Sequence, residues 1–387
     1  FEDMVKNAIT ELSEKGNESV LDDWRKKYEH IIIDEFQDNN YLQTKLGWLL
    51  SPKGHITVVG DEDQCIYGFQ GAHVENFDHF ENNFKSLTVG KKTLRTNYRS
   101  TEEIVEKSSN LMNTVEGRVP KDLMANKKNG KGDPPQVLDF TTEDEEFSFI
   151  AEKIRELKGS ISLDPEERGE AFGILVRKND GVDEFVYYND HCSMDNRPKD
   201  EKHTLELRNG EELCTKCGRP SFTFIKNSDD KNIYTANFAG LKIHLKTVHQ
   251  AKGEEFSFVF VDHVEDGRLP LSHSGEDLVV PMALQKFKQD LDDSTAHERE
   301  ERRVLYVAMT RAKDHLFLTY HTAAFKKHKT ITTEAGITPE LKKQGWYWDD
   351  ESKNVMIDDN ISRSEFLNNI NIKHEKYENS ENEEQGQ

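Results

Sequence analysis

Ile31-Ile32-Ile33-Asp34-Glu35-Phe36-Gln37-Asp38 constrains this chain more than any other stretch. A short apolar run that empties into carboxylates reads as the buried central strand of a parallel sheet, with acids at the carboxyl end where such sheets bind ligands. A second run, Ile56-Thr57-Val58-Val59-Gly60, leads into Asp61-Glu62-Asp63-Gln64-Cys65-Ile66-Tyr67-Gly68-Phe69-Gln70-Gly71-Ala72. After a helix-length gap comes Leu94-Arg95-Thr96-Asn97-Tyr98-Arg99-Ser100. Strand, polar loop, helix, strand is the doubly wound α/β pattern.

At the end of such a strand an aspartate can hold Mg²⁺ and the next glutamate can polarise a water, as nucleotide triphosphatases require. Asp34 and Glu35 suit those two roles, and an acidic turn after a core strand is the other reading of the same residues. Two later blocks separate them. They are Thr247-Val248-His249-Gln250-Ala251-Lys252-Gly253-Glu254-Glu255-Phe256 and Glu300-Glu301-Arg302-Arg303-Val304-Leu305-Tyr306-Val307-Ala308-Met309-Thr310-Arg311-Ala312-Lys313. In this order the five blocks resemble motifs II to VI of the superfamily 1 helicases of the UvrD/Rep type, over roughly residues 1 to 320 apart from one insert. A G-x-x-x-x-G-K-[ST] phosphate loop, motif I of that family, does not occur in the sequence. The opening Phe1-Glu2-Asp3-Met4-Val5 resembles the segment by which the family's chain re-enters its first motor domain. The expectation is therefore a piece of a longer protein, inactive toward ATP by itself, and the alternative is a motor relic.

The resemblance implies two RecA-like, doubly wound parallel-sheet motor domains, the first incomplete, with a small insert in the second. Expected boundaries are 1–90 for the first motor domain, 91–181 and 241–325 for the halves of the second, 182–240 for the insert and 326–387 for a C-terminal extension. Asp34 would hold Mg²⁺, Glu35 would activate water and Gln64 would sense the γ-phosphate. Arg99 and Arg311 would neutralise phosphate charge from the second domain, their planar forks suiting two phosphate oxygens at once. Gln37 would complete the water network, Tyr98 would stack on adenine, and Gly253 and Glu255 would line the nucleotide, Glu255 at the ribose hydroxyls. Tyr67, Phe69 and His249 would meet DNA, the aromatics by stacking on bases at about 1 to 3 kcal/mol each. Phe69-Gln70 stands where the family usually has Trp-Arg, so weaker DNA grip is expected.

With 52 basic against 73 acidic side chains the formal charge is −21, so DNA must meet a local strip and not the global field. Lys91, Lys92 and Arg95, with Lys242, Lys246 and Lys252, are the candidates. The implied activity is an ATP-dependent 3′–5′ DNA helicase or translocase on single strands and single/double-strand junctions, in repair or replication. The alternative is a non-catalytic scaffold that binds DNA or protein. No apolar run is long enough to span a bilayer, and an intracellular, nucleoid-associated protein is expected.

Four cysteines fit a reducing compartment. The insert carries His191, Cys192, His203, Cys214-Thr215-Lys216-Cys217-Gly218 and His244. Cys-x-x-Cys before Gly is half of a tetrahedral Zn²⁺ site. Cys192, Cys214 and Cys217 with His191 or His203 make one reading, and free thiols make the other. Pairing His244 with His249 as a finger is rejected on spacing. Residues 373–387, rich in Glu and Asn, read as a disordered tail, and Trp346-Tyr347-Trp348 as a docking cluster. Insert and tail are the candidate surfaces for repair or replication partners.

Overall fold

The structure is a computed structural model. It describes residues 2–51, 54–68, 72, 76–83, 89–158, 170–191, 202–208, 211–228, 233–238, 240–272, 293–327, 338, 346–349, 354–360, 362–372 and 374–376. Phe69 and Cys192 lie outside the described residues.

In one of two units, residues 1–94 with 273–306, α1 (Glu2–Ser13) and α2 (Glu18–Arg25) precede β1 (Ile31–Ile33), α3 (Tyr41–Leu50), β2 (Ile56–Val58) and α4 (Asn76–Asn83). β1 and β2 pair in parallel, Ile31 opposite Ile56 and Ile33 opposite Val58. Helix α3 starts at a capping box in which Asn40 and Gln43 satisfy each other's backbone amides. Its Gly47 lets the helix settle on the ribbon, since a Cβ there would come within 2.7 Å of Ile33 Cδ1. Ile32 departs from the expectation of a buried strand, being 70% exposed. Side chains alternate along a strand, so a helix on the Ile33 face leaves Ile32 on the other side.

The other unit comprises residues 95–272 and 307–387. It opens with β3 (Thr96–Asn97), α5 (Glu102–Asn113) and β4 (Met124–Ala125), followed by β5 (Gln136–Thr142), α6 (Glu143–Leu157), β6 (Phe172–Val176) and α7 (Asn179–Asp190). Next come β7 (Leu205–Arg208), β8 (Glu211–Cys214), β9 (Ile225–Lys226), β10 (Tyr234–Phe238), β11 (Leu241–Thr247) and β12 (Phe256–Val261). Helix α8 (Asp293–Met309) runs across the chain boundary between the units, and β13 (Ala312–Lys327), β14 (Trp346–Asp349), β15 (Asn354–Asn360) and β16 (His374–Lys376) complete the order.

Here one sheet dominates, in the order β14-β15-β13-β12-β6-β11-β10-β9, with β5 also on β13 and β16 on β5. β5, β13, β12, β6 and β11 are mutually parallel, and β9, β10, β14 and β15 add antiparallel edges. The centre is fully buried, as the apolar run of β6 and the almost wholly apolar β12 require when both faces are covered. Phe140, Phe172, Phe258, Phe260 and Phe317 form one core with Phe147 and Ile150 of α6 and Phe185 of α7. The alternate residues Leu175, Val259, Val261 and Leu318 are buried too. An α/β architecture built on a large, mainly parallel sheet is therefore observed.

One reading of the C-terminal stretch changes. His374–Lys376, placed in a disordered tail from composition, pairs in parallel with β5. Strand pairing uses backbone groups that any side chain leaves available, so an open sheet edge can order a polar segment. Trp346–Asp349, read as a docking cluster, forms β14 against β15 at the edge of the large sheet.

Candidate nucleotide site

Two clusters of the expected residues form, one in each unit. In the first, Val59 N donates to Ile33 O (2.8 Å) and Phe36 N to Val59 O (2.9 Å), carrying the β1–β2 ladder into the acidic turn. Glu35 sits at φ 47°, ψ 43°, a left-handed conformation uncommon for a residue with a Cβ. That turn throws Asp34 and Glu35 outward, and Asp34 Oδ1 accepts from the Glu35 amide at 2.9 Å. Gln37, fully buried, stands behind them. Its Nε2 donates to Glu35 Oε2 (2.5 Å), and its Oε1 accepts from the Asp61 amide (2.9 Å). Gln64 Nε2 donates to Asp61 Oδ2 (2.9 Å). A Cβ on Gly60 would collide with Gln37 Oε1 and approach Phe36 N to 2.9 Å, so the close passage of two backbones depends on that glycine.

The first two sequence blocks thus meet through Gln37 and Asp61. Asp61 was missed as a site residue, although it follows its apolar run just as Asp34 follows the first. Gln37 is a positioning residue that fixes which way Glu35 points. Tyr67, expected at DNA, is half-buried with its hydroxyl pushed above the usual range, by burial first and then by the charges of Asp38 and Glu35. The outward acids present hard oxygen donors, the ligand type that suits Mg²⁺.

In the second unit the blocks around Arg99, Glu255 and Arg311 are laced together. Arg99 Nε donates to Glu255 Oε2 (2.8 Å) and Nη1 to Thr310 O (3.2 Å). Asn97 Oδ1 accepts from the amides of Arg99 and Ser100, fixing the turn. Ser100 Oγ donates to Ala312 O (2.6 Å), and Thr101 N to Lys313 O (3.0 Å). Lys313 Nζ lies 3.9 Å from Glu255 Oε1, so two cations flank this carboxylate. Arg311 is 1% exposed. Its guanidinium donates to Val307 O (3.0 Å), Glu254 O (3.2 Å) and Thr310 Oγ1 (3.3 Å). Gly253, at φ 87°, permits the turn that delivers Glu254 and Glu255. Tyr98 is 75% exposed beside Arg99, its ring open for stacking. His249 is half-buried in the turn after β11. Lys246, a candidate for DNA, is instead buried with its ammonium 2.7 Å from Glu254, and so is not part of an exposed strip. Lys91 is on the surface but pairs with Glu81 at 2.7 Å.

The insert holds a third cluster. Ligand atoms of His203, Cys214 and Cys217 lie within 4.8 Å of one another. Lys216 N donates to Cys214 Sγ (3.4 Å), Gly218 N to Cys214 O (2.9 Å), and Gly218 takes φ 72°. His203 Nε2 is buried without a hydrogen-bond partner. Burial first, then Arg219, lowers its pKa to about 4, leaving a neutral imidazole able to donate a lone pair. Of the two histidines weighed from sequence, His203 reaches the thiols. His191, named with the cysteines, instead stacks on Tyr187 (4.1 Å between centroids) with Nδ1 at Tyr187 O. The loop is anchored to α6 by Arg219, whose Nη1 lies 3.0 Å from Asp144 Oδ1 in a pair almost wholly buried.

The UvrD/REP helicase N-terminal domain matches residues 1–85, and the UvrD-like helicase C-terminal domain matches residues 92–189 and 221–323. The chain belongs to the UvrD/Rep helicase family. DNA helicase II of Haemophilus influenzae is 36% identical over 149 residues, which is 38% of this chain and 20% of that protein. PcrA, an ATP-dependent DNA helicase of Leuconostoc citreum, is 33% identical over 181 residues, 46% of this chain and 23% of its own length. DNA helicase II of Escherichia coli is 35% identical over 141 residues, 35% of this chain and 18% of its own. The chain thus spans about a fifth of the length of these relatives. Residues 190–220, which carry the Cys/His cluster, fall between the two matched UvrD-like segments. No helix among the described residues is long and apolar enough to cross a membrane.

Proposed function

We propose that this chain carries the carboxylate and guanidinium parts of an ATP-dependent DNA helicase or translocase, moving 3′ to 5′ on single strands and at single/double-strand junctions in DNA repair or replication. The observation that carries the reading is the Gln37 amide. It is buried between Glu35 and Asp61, and so holds an exposed carboxylate in one orientation beside Asp34. Asp34 would hold Mg²⁺, which neutralises phosphate charge when bound. Glu35 takes the proton of the attacking water, and Gln64 responds to the terminal phosphate. Arg99 and Arg311 stabilise charge on the transferred group, which phosphoryl transfer needs more than covalent help. Tyr98 stacks on the base, and Glu255 meets the ribose when Arg99 turns to phosphate. Tyr67, Phe69 and His249 touch DNA. In the insert, Cys214, Cys217 and His203 hold a structural Zn²⁺, a soft S₂N set that lets a short polar loop fold. The domain limits given above are proposed to stand as two motor domains with this insert, in a soluble, nucleoid-associated protein.

The test is phosphate release, with and without single-stranded DNA, by a polypeptide joining this chain to a phosphate loop. DNA-stimulated turnover that Glu35→Gln abolishes supports the reading. Turnover absent moves it to a non-catalytic scaffold binding DNA or protein, and turnover indifferent to Glu35→Gln removes Glu35 from the role of base.

A further inference from the structure

Behind the parallel sheet of the second unit lies a cluster that neither the motifs nor the proposed chemistry uses. Glu146 in the first turns of α6, His263 and Glu265 just after β12, and His321 on β13 bring their ligand atoms within 4.8 Å of one another, and all four are buried. Glu265 is 0% exposed, and neither of its oxygens has a hydrogen-bond partner. Nδ1 of His263 is likewise buried and unpartnered, and it faces Glu265 Oε1 at 3.3 Å without hydrogen-bond geometry. His263 takes φ 61°, a left-handed backbone in a residue with a Cβ. A buried carboxylate met by two imidazoles at 3.3 and 3.8 Å but by no hydrogen bond is incompletely satisfied, and a non-glycine residue in this conformation persists only where its surroundings enforce it.

We propose that Glu146, His263, Glu265 and His321 form a structural site for a divalent transition-metal cation, Zn²⁺ being the best fit. Two imidazoles and two carboxylates are an N₂O₂ set that zinc accepts with tetrahedral geometry. Bonds of about 2.0–2.2 Å place tetrahedral ligands about 3.3–3.6 Å apart. His263 Nδ1 lies 3.3 Å from Glu265 Oε1 and 3.5 Å from Glu146 Oε2, and His321 Nδ1 lies 3.8 Å from Glu265 Oε1. The fourth measured edge, His321 Nδ1 to Glu146 Oε2, is a direct hydrogen bond of 2.6 Å that opens by under about 1 Å to admit the ion. Supporting groups are in place, as metal sites require. Glu146 Oε1 accepts the His263 amide (3.1 Å), and His263 Nε2 faces Glu143 Oε1 (3.5 Å) and Asp262 Oδ2 (3.7 Å). Glu143 is held in turn by the Tyr188 hydroxyl (2.8 Å). The ion would tie α6 to the segment after β12 and to β13, and neutralise the two buried carboxylates. The site is separate from the insert's thiols.

The deciding measurement is the zinc content of the whole chain, purified from zinc-supplemented medium and counted before and after p-mercuribenzoate, which releases zinc from thiolates. One equivalent resisting the mercurial is expected in the wild type and none in Glu265→Gln. The thermal midpoint gives a second readout. Loading with Zn²⁺ should raise it in the wild type and leave it unmoved in Glu265→Gln, where the ligand is lost. A wild-type chain with no mercurial-resistant metal overturns the proposal even if the variant fails to fold, as does a folded Glu265→Gln chain retaining the same metal at an equal or higher midpoint.

Discussion

Gly60 and Arg219 show how single side chains hold the two units in shape. Gly60→Ala would push a methyl group into Gln37 Oε1, an overpacking that costs about 1–3 kcal/mol. It would also swing the amide away from Glu35. Chemical denaturation of the variant reads the first effect, and an unchanged midpoint would show that the two backbones have slack. Arg219 and Asp144 pair with side chains 4% and 7% exposed. Removing one partner strands a buried charge, so Arg219→Met should cost about 3–5 kcal/mol, while Arg219→Met with Asp144→Leu should recover most of it. A double variant as unstable as the single one would mean the loop depends on the charge itself. At this scale the acids Asp34 and Glu35 were legible because an apolar run points at them. Asp61 was missed although a run points at it in the same way, and Asn97 and Thr310 were not legible, since their work is to hold other groups, and an Asn or Thr in a loop has many equivalent explanations.

Elements carry the next level of prediction. Helix α6 begins at a capping box in which Thr142 Oγ1 accepts from Glu145 N and Glu145 returns to the Thr142 amide. Four acids in its first turn suit the positive end of the helix. Thr142→Ala should therefore cost about 1 kcal/mol, read by thermal denaturation, with Thr142→Ser near neutral. A loss equal for both substitutions would assign the effect to the methyl group and not to the cap. The apolar sequence of β6 marks a strand by its composition alone. The order of the strands was not legible, since β12 sits beside β6 although α7 and the whole insert intervene in sequence. Pairing of β16 with β5 was also hidden, because backbone hydrogen bonding leaves no mark on composition. Should the insert hold the proposed Zn²⁺, its release from the thiols by p-mercuribenzoate unfolds the β7–β8 hairpin locally while leaving the Phe-rich core intact, seen as lost amide-exchange protection confined to residues 202–220. Protection unchanged by the mercurial would leave the thiols without a structural role.

For the whole molecule, membership in the UvrD/Rep family leads to a prediction about Arg99. Arg99→Lys keeps a charge near Glu255 but loses the fork that also reaches Thr310 O. In a polypeptide completed with a phosphate loop, DNA-stimulated turnover should fall by about a hundredfold or more, with stability little changed. Turnover within a few-fold of wild type would remove Arg99 from the chemistry. By itself the sequence determined the α/β class, the family and the acids, because hydrophobic period and motif order are local properties of the chain. Tertiary structure alone decided which distant side chains meet. It buried Lys246 on Glu254, chose His203 over His191 for the thiols, and gathered Glu146, His263, Glu265 and His321 from three separate segments. Contacts between residues far apart in sequence depend on how strands are ordered and how their side chains alternate across a sheet, and neither is written in any single stretch of the chain.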